Sequence, residues 1–209
     1  STAEQFVAQY RPQWQNQGIF NAAVLIVDRN NRELVAAVGN QNYFGDDHGQ
    51  KIPAFFVPRS PGSTLKPLLY SYSLDRGLLL PQQLLEDTPL TIAGYAPENF
   101  SGQYKGLVAA EEALSQSLNI PFVRLLQKVR IDSFVAFLES AGLSDHTPAG
   151  ELGLSLILGG METSPWALTQ TYLTLASGGT SGPISYLKDA ADRPSLRVLS
   201  PGAVYLTHK

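Results

Sequence analysis

The sequence has no cysteine, one methionine and only three histidines among its 209 residues. Without thiols there is no disulfide framework, no cysteine-ligated zinc and no thiolate nucleophile. The redox compartment stays open, because a thiol-free chain works on either side of a membrane. Charge is scarce too: Asp, Glu, Lys and Arg make up 16% of residues, and the net charge is −3. With no Lys/Arg cluster, the chain lacks the basic footprint that nucleic acid or an anionic membrane surface requires. No apolar run approaches the ~18 residues of a membrane span. The first ten residues lack the basic start and apolar centre of a signal peptide. Any export signal or membrane anchor is therefore expected outside these residues. What the chain does have is an ordinary apolar fraction, 44%, enough to bury the core of one domain.

Apolar spacing predicts a helix over residues 3–14, with Pro12 placed to interrupt it. The run Ala22-Ala23-Val24-Leu25-Ile26-Val27 reads as a strand buried on both faces, with Asn30-Asn31 turning the chain into a returning strand over 33–38. Residues 39–62 are irregular and carry Pro53, Pro58 and Pro61, the composition of a long functional loop. A helix follows over 63–76, with Leu65, Leu68, Leu69 and Tyr72 on one side and Gly77 as its stop. Residues 81–103 read as loop. Helices are predicted over 111–118 and over 121–129, where Pro121 suits a first turn. Another runs over 132–140, capped by Asp132 and ended by Gly142, and another over 165–176, capped by Ser164 and ended by Gly178-Gly179. Short strands are expected over 184–187 and 196–199, and Pro201 opens a last helix. The chain shows no repeat or low-complexity segment.

Nucleophilic catalysis without cysteine needs an activated hydroxyl, carboxylate or amine. His48, His146 and His208 are scattered, and no Gly-x-Ser-x-Gly elbow accompanies them, which argues against a Ser-His-Asp triad. His48 beside Asp46 and Asp47 spells either a metal cluster or a solvated polar loop. Ser63-Thr64-Leu65-Lys66 carries more. Residues three apart share a helix face, so the Lys66 amine can reach the Ser63 hydroxyl. To act as a base, Lys66 must lose its charge near neutral pH, which burial and the positive end of a helix dipole both favour. Pro67 fits a helix that starts close to Ser63, since proline in a first turn forfeits little. Backbone N–H groups at that helix mouth would stabilise an oxyanion. The same four-letter pattern recurs as Ser185-Tyr186-Leu187-Lys188. It falls in an expected strand, where positions three apart face opposite sides.

Ser117-Leu118-Asn119 stands between two expected helices. Ser117 could relay a proton there, and the Asn119 amide could bind a substrate amide while holding Lys66. By spacing alone the triplet reads first as a helix end followed by a proline-initiated helix.

Gly62-Ser63-Thr64-Leu65-Lys66-Pro67-Leu68-Leu69-Tyr70 resembles the active-site serine motif of the penicillin-binding transpeptidases. Asn99-Phe100, Lys105-Gly106-Leu107-Val108 and the stretch from Glu112 through Ser117-Leu118-Asn119 to Pro121 resemble that family's second block. Gly159-Gly160-Met161-Glu162-Thr163-Ser164-Pro165-Trp166, with Leu175-Ala176-Ser177-Gly178-Gly179, is similar to its helix and glycine turn. The blocks Arg59-Ser60-Pro61-Gly62 and Gly94-Tyr95-Ala96-Pro97-Glu98-Asn99-Phe100 look most like the bifunctional class A branch.

The resemblance implies an α+β, β-lactamase/transpeptidase-like fold, mostly helical, with a hairpin drawn from an antiparallel sheet. It implies D-alanyl-D-alanine transpeptidation of peptidoglycan stem peptides outside the bacterial inner membrane. Ser63 would be the acylated nucleophile, Lys66 its general base, Ser117 the proton relay and Asn119 the substrate-amide ligand. The Ser63 N–H would supply half of the oxyanion hole, and β-lactams would acylate the same serine. No cofactor and no metal are implied; other cell-wall synthesis proteins are possible partners.

One family motif is absent: no lysine in this chain begins Lys-Thr-Gly. That motif binds the substrate carboxylate and gives the second oxyanion N–H. The expectation is a transpeptidase domain over residues 1–209, truncated before its C-terminal strands and by itself inactive or very slow. Its parent would carry a glycosyltransferase domain and an inner-membrane anchor upstream. The hairpin is then expected to lack neighbouring strands and to expose an edge. A non-catalytic scaffold docking in a wall-synthesis complex is the alternative; retention of all four of Ser63, Lys66, Ser117 and Asn119 speaks for the enzyme.

Overall fold

Helix α1, Thr2–Asn16, opens the chain in the computed structural model, which describes residues 1–45, 48–144, 147–187 and 194–209. Ser1 and Glu4 form a reciprocal capping box at its start, satisfying backbone N–H groups that have no partner inside the helix. Pro12 lies within α1 and does not interrupt it. Both Pro12 and Ala8, whose carbonyl the proline leaves without its usual donor, are exposed, so water can take over that bond.

Strands β1 (Val24–Val27) and β2 (Leu34–Val38) form the expected antiparallel hairpin, with Val24 opposite Val38 and a bulge between Ile26 and Val27. Asp28 Oδ1 accepts from Asn30 N and Asn31 Oδ1 from Glu33 N, the side-chain-to-backbone bonds that suit these residues to turns. The hairpin is not buried on both faces: Ile26 is 45% and Val35 65% exposed. Among the described residues its sheet has two strands, and Glu33 adds a single parallel bridge to Ser185. With so few neighbours the apolar run is only half covered. That bridge is all that forms of the strand expected over 184–187, and Lys188 lies outside the described residues.

Residues 54–56 form a 3₁₀ turn, and a second one, Gly62–Leu65, runs directly into α2 (Lys66–Asp75). Within the expected loop 81–103 the structure contains a strand, β3 (Leu84–Asp87), paired antiparallel with β4 (Gly106–Ala109). Leu-Leu-Glu-Asp alternates poorly and is flanked by Pro81 and Pro89, so only the distant partner makes it a strand.

Helices α3 (Ala110–Ser115), α4 (Asn119–Val129) and α5 (Ile131–Ser140) follow. Asp132 is not a cap: Arg130 takes that position at φ 74°, and Asp132 sits in the first turn. There its carboxylate still complements the helix dipole. Helix α6 (Pro165–Ala176) is capped as expected, Ser164 Oγ accepting from Ala167 N at 3.1 Å. The two-residue strands β5 (Thr180–Ser181) and β6 (Leu196–Arg197) pair before α7 (Pro201–His208). No helix of the described residues is long and apolar enough to cross a membrane.

The core gathers around α2. Leu65, Leu68 and Leu69 are fully buried against Phe122, Val123 and Leu126 of α4 and against Phe134 and Leu138 of α5. That set is apolar, and α2 buries three polar side chains beside it: Ser71, Ser73 and Lys66, which is as buried as the leucines. The fold is α+β and mostly helical, and it places a lysine where leucines belong.

Candidate active site

Ser63 is the second residue of the Gly62–Leu65 turn and is exposed. The Lys66 N–H donates to the Ser63 carbonyl. Residues i and i+3 of a 3₁₀ turn eclipse one another, so both side chains leave the same side of the turn.

That turn is pinned from three directions. Arg59 and Thr163 exchange two backbone hydrogen bonds of 3.0 Å. Ser60 Oγ donates to the Gly159 carbonyl at 2.8 Å, and Tyr172 OH donates to the Thr64 carbonyl at 2.6 Å. Gly159 has φ 98°, and a Cβ there would lie 2.3 Å from Ser60 Oγ and 2.8 Å from Gly62 Cα. Only glycine permits so close an approach. The supporting roles of Gly159 and Tyr172 depend on long-range contacts that spacing cannot reveal.

Lys66 is 1% exposed. Its Nζ donates to the Ser117 carbonyl at 2.7 Å, to Asn119 Oδ1 at 2.7 Å and to Ser117 Oγ at 3.3 Å. It also lies 5.8 Å from the centroid of the Phe122 ring. It forms no ion pair among the described residues. Burial without a counter-charge pushes its pKa from 10.5 to about 8. The structure therefore joins Lys66, Ser117 and Asn119 directly. Ser63 shares a turn with Lys66 but makes no hydrogen bond with its amine, an arrangement common before substrate arrives.

Ser117 lies between α3 and α4 at φ 52°, a conformation costly for any residue but glycine. Asn119 is not in the connection, as the sequence suggested, but is the first residue of α4. Its Nδ2 donates to the Glu98 carbonyl at 2.7 Å, which leaves Oδ1 facing Lys66. Its backbone N–H donates to Asn99 Oδ1 at 2.8 Å. Asn99 is buried and donates from Nδ2 to Asp87 Oδ1 at 2.7 Å and to the Gln103 carbonyl at 2.9 Å. Asp87 Oδ2 in turn accepts from Lys105 N at 2.9 Å. In the sequence Asn99 is marked only as part of the block Asn99-Phe100, without a role of its own, and Asp87, the last residue of β3, is not marked; an aspartate at a strand end is too common to single out.

The other candidates stand apart. The His48 ring stacks on Phe20 with centroids 3.9 Å apart. Asp46, Asp47 and His146 lie outside the described residues, and among the described residues no group of three acidic, histidine or cysteine side chains is placed to hold a metal. His208 is in the last turn of α7.

The sequence profile of the penicillin binding protein transpeptidase domain matches residues 22–203. The chain is 33% identical over 190 residues to penicillin-binding protein 1C of Escherichia coli strain K12, a match covering 90% of this chain and 24% of that protein. It is 34% identical over 183 residues to penicillin-binding protein 1B of Vibrio cholerae, covering 82% and 22%. These curated relatives are thus about four times longer than the segment they share with this chain. The fold resembles the apo transpeptidase domain of penicillin-binding protein 3 from Burkholderia pseudomallei, with a TM-score of 0.79 at 17% identity, covering 99% of this chain and 66% of that one. A crystal structure of a peptidoglycan glycosyltransferase from Burkholderia ambifaria gives 0.81 at 18% identity, covering 99% and 70%. With a family profile spanning most of the sequence and two relatives above 30% identity, the chain belongs to the penicillin-binding protein transpeptidase domain family.

Proposed function

We propose that this domain transfers the acyl group of a stem peptide ending in D-alanyl-D-alanine, through an ester on Ser63, to an amine of a neighbouring stem. β-Lactams would acylate the same hydroxyl. The observation that carries this is Lys66: an amine buried in an apolar core, without a counter-charge, one turn from an exposed serine. At pH 7 a lysine with a pKa of about 8 is neutral in roughly a tenth of molecules. That is ~300-fold more than a solvated lysine offers.

In the first step the Ser63 O–H proton passes to Lys66 Nζ as Oγ bonds the penultimate carbonyl carbon. The carbonyl electrons move to oxygen, where the N–H of Ser63, at the start of a helical segment, stabilises the charge. Collapse breaks the C–N bond. The leaving D-alanine nitrogen takes a proton from Ser117 Oγ, which is replenished by the Lys66 ammonium 3.3 Å away. The acceptor amine then attacks the ester by the same steps reversed. Asn119 holds Lys66 with Oδ1; an amide has two N–H donors, so Nδ2 keeps one for a substrate carbonyl beside the one given to Glu98.

These 209 residues contain no Lys-Thr-Gly. With one oxyanion donor and the carboxylate anchor missing, we expect acylation to be slower by at least ~10²–10³ than in chains that have the motif. In the whole protein we place the domain on the outer side of the bacterial inner membrane, beside a glycan-polymerising domain and with other wall-synthesis proteins as partners.

Prolonged exposure to a fluorescent penicillin tests the proposal. Label that accumulates over hours, maps to the Ser63 peptide and disappears in Ser63→Ala supports it. An unmodified Ser63 peptide instead supports a scaffold without acyl chemistry.

A further inference from the structure

Asp87 and Asn99 lie behind the site and touch neither Ser63 nor Lys66, yet the hydrogen bond that holds the Asn119 backbone leads back to them. The donors all point one way. Lys66 Nζ donates to Asn119 Oδ1 at 2.7 Å, Asn119 N to Asn99 Oδ1 at 2.8 Å, and Asn99 Nδ2 to Asp87 Oδ1 at 2.7 Å. Ile120 N adds a longer bond to Asn99 Oδ1 at 3.4 Å. Helix α4 has no side-chain cap of its own. The Asn99 carbonyl oxygen, reaching across from the β3–β4 connection, serves instead.

Orientation is what the carboxylate contributes. Both Asp87 oxygens accept, from Asn99 Nδ2 and from Lys105 N, so Asp87, fully buried, meets Asn99 at its amide nitrogen. Asn99 Oδ1 must then face α4. The Glu98 carbonyl imposes the same logic on Asn119, because it accepts from Nδ2 and leaves Oδ1 for Lys66. We propose that Asp87 and Asn99 are positioning residues that fix the place of Asn119 at the start of α4, and through it the amine of Lys66. This deepens the proposed function, on which the roles of Lys66 and Asn119 rest.

The surroundings of Lys66 make the consequence readable. Its amine meets Ser117, Asn119 and the Phe122 ring, none of them charged, and Ser63 on its own turn. Loss of the Asn119 acceptor removes a bond that favours the ammonium, so Lys66 should then titrate lower.

The test follows the Lys66 titration by NMR on the full chain labelled with ε-¹³C lysine, with the Lys66 signal assigned from Lys66→Met. In Asp87→Asn one carboxylate oxygen becomes a donor, and either orientation of that amide sets two donors against each other, at Lys105 N or at Asn99. The Lys66 midpoint should fall by about one pH unit, the worth of a hydrogen bond to a charged group. The swap Asp87→Asn with Asn99→Asp restores the line of donors to α4: its new carboxylate accepts from Asn119 N, Ile120 N and the new amide, which itself accepts from Lys105 N. Its second oxygen then faces the Gln103 carbonyl, which loses the donor that Asn99 supplied, so the swap is expected to melt earlier than the wild type. In the folded swap the Lys66 midpoint should return toward the wild-type value.

A folded Asp87→Asn protein that melts earlier but keeps the wild-type midpoint would overturn the proposal, as would a folded swap whose midpoint stays at the Asp87→Asn value. Where either variant does not fold, Asn99→Ala, which removes the acceptor for Asn119 N, takes its place, and an unmoved midpoint overturns the proposal. Titration shifts as described with no acyl adduct on Ser63 would leave the positioning intact and remove the proposed function. An adduct with unmoved titration would do the reverse.

Discussion

Ser117 holds Lys66 from a strained backbone: at φ 52° its carbonyl lies 2.7 Å, and its hydroxyl 3.3 Å, from the buried amine. A left-handed conformation costs a non-glycine residue roughly 1–2 kcal/mol. The cost persists because the α3–α4 connection must turn both oxygens of one residue toward one nitrogen, the strain a functional site can carry.

Ser117→Gly separates strain from chemistry. It relieves the backbone and removes the relay hydroxyl while keeping the carbonyl. We expect a gain of about 1 kcal/mol in stability, read by denaturant unfolding. Acylation of Ser63 should slow by ~10²-fold or more, the usual worth of a positioned proton donor. A variant that is both more stable and equally fast would contradict the relay.

Lys66 also makes stability depend on pH. Its pKa is about 8 folded and near 10.5 unfolded, so between these values the unfolded chain binds more protons. Stability therefore rises with pH across that window. Buried Tyr70 and half-buried Tyr95 and Tyr172 have pKa values raised above 10 by burial, chiefly, and oppose the rise only at higher pH. Between about pH 8 and 10 the gain attributable to Lys66 should be on the order of 2–3 kcal/mol. Lys66→Met, measured by urea unfolding in parallel, should lack that gain. Identical pH profiles for the two proteins would mean that the amine is not desolvated.

Gly159 is predicted to be the most sensitive glycine for the site. Gly159→Ala must accommodate a Cβ 2.8 Å from Gly62 Cα at φ 98°, pushing on the turn that carries Ser63. The expected cost is ~2–4 kcal/mol with a matching fall in acylation. Gly178→Ala, at φ 66° with open space around it, should cost only about 1 kcal/mol and leave acylation alone. Melting temperatures and labelling rates of the two variants check this pair.

The sequence made the local parts of this site visible and hid the long-range ones. Ser63 and Lys66 are three residues apart with Pro67 behind them, and Ser164-Pro165 announces its own helix start, because both patterns act within one turn. Asn119 as the first residue of α4 was not visible, because its cap is Asn99, twenty residues upstream. The β3 strand needed β4 to exist at all. Pro12 misled because proline's cost falls on a carbonyl that, here, faces water. The hairpin's apolar run suggested double burial, but periodicity reports only what a segment can bury, not whether a neighbour covers it.

The most direct measurement is the rate constant for acylation of Ser63 by a fluorescent penicillin, followed from about pH 6 to 10. If a neutral Lys66 activates the serine, the rate rises with pH through a single midpoint at about 8, and Lys66→Met abolishes the rise. A rate independent of pH across that range, or label carried on a residue other than Ser63, would contradict the account.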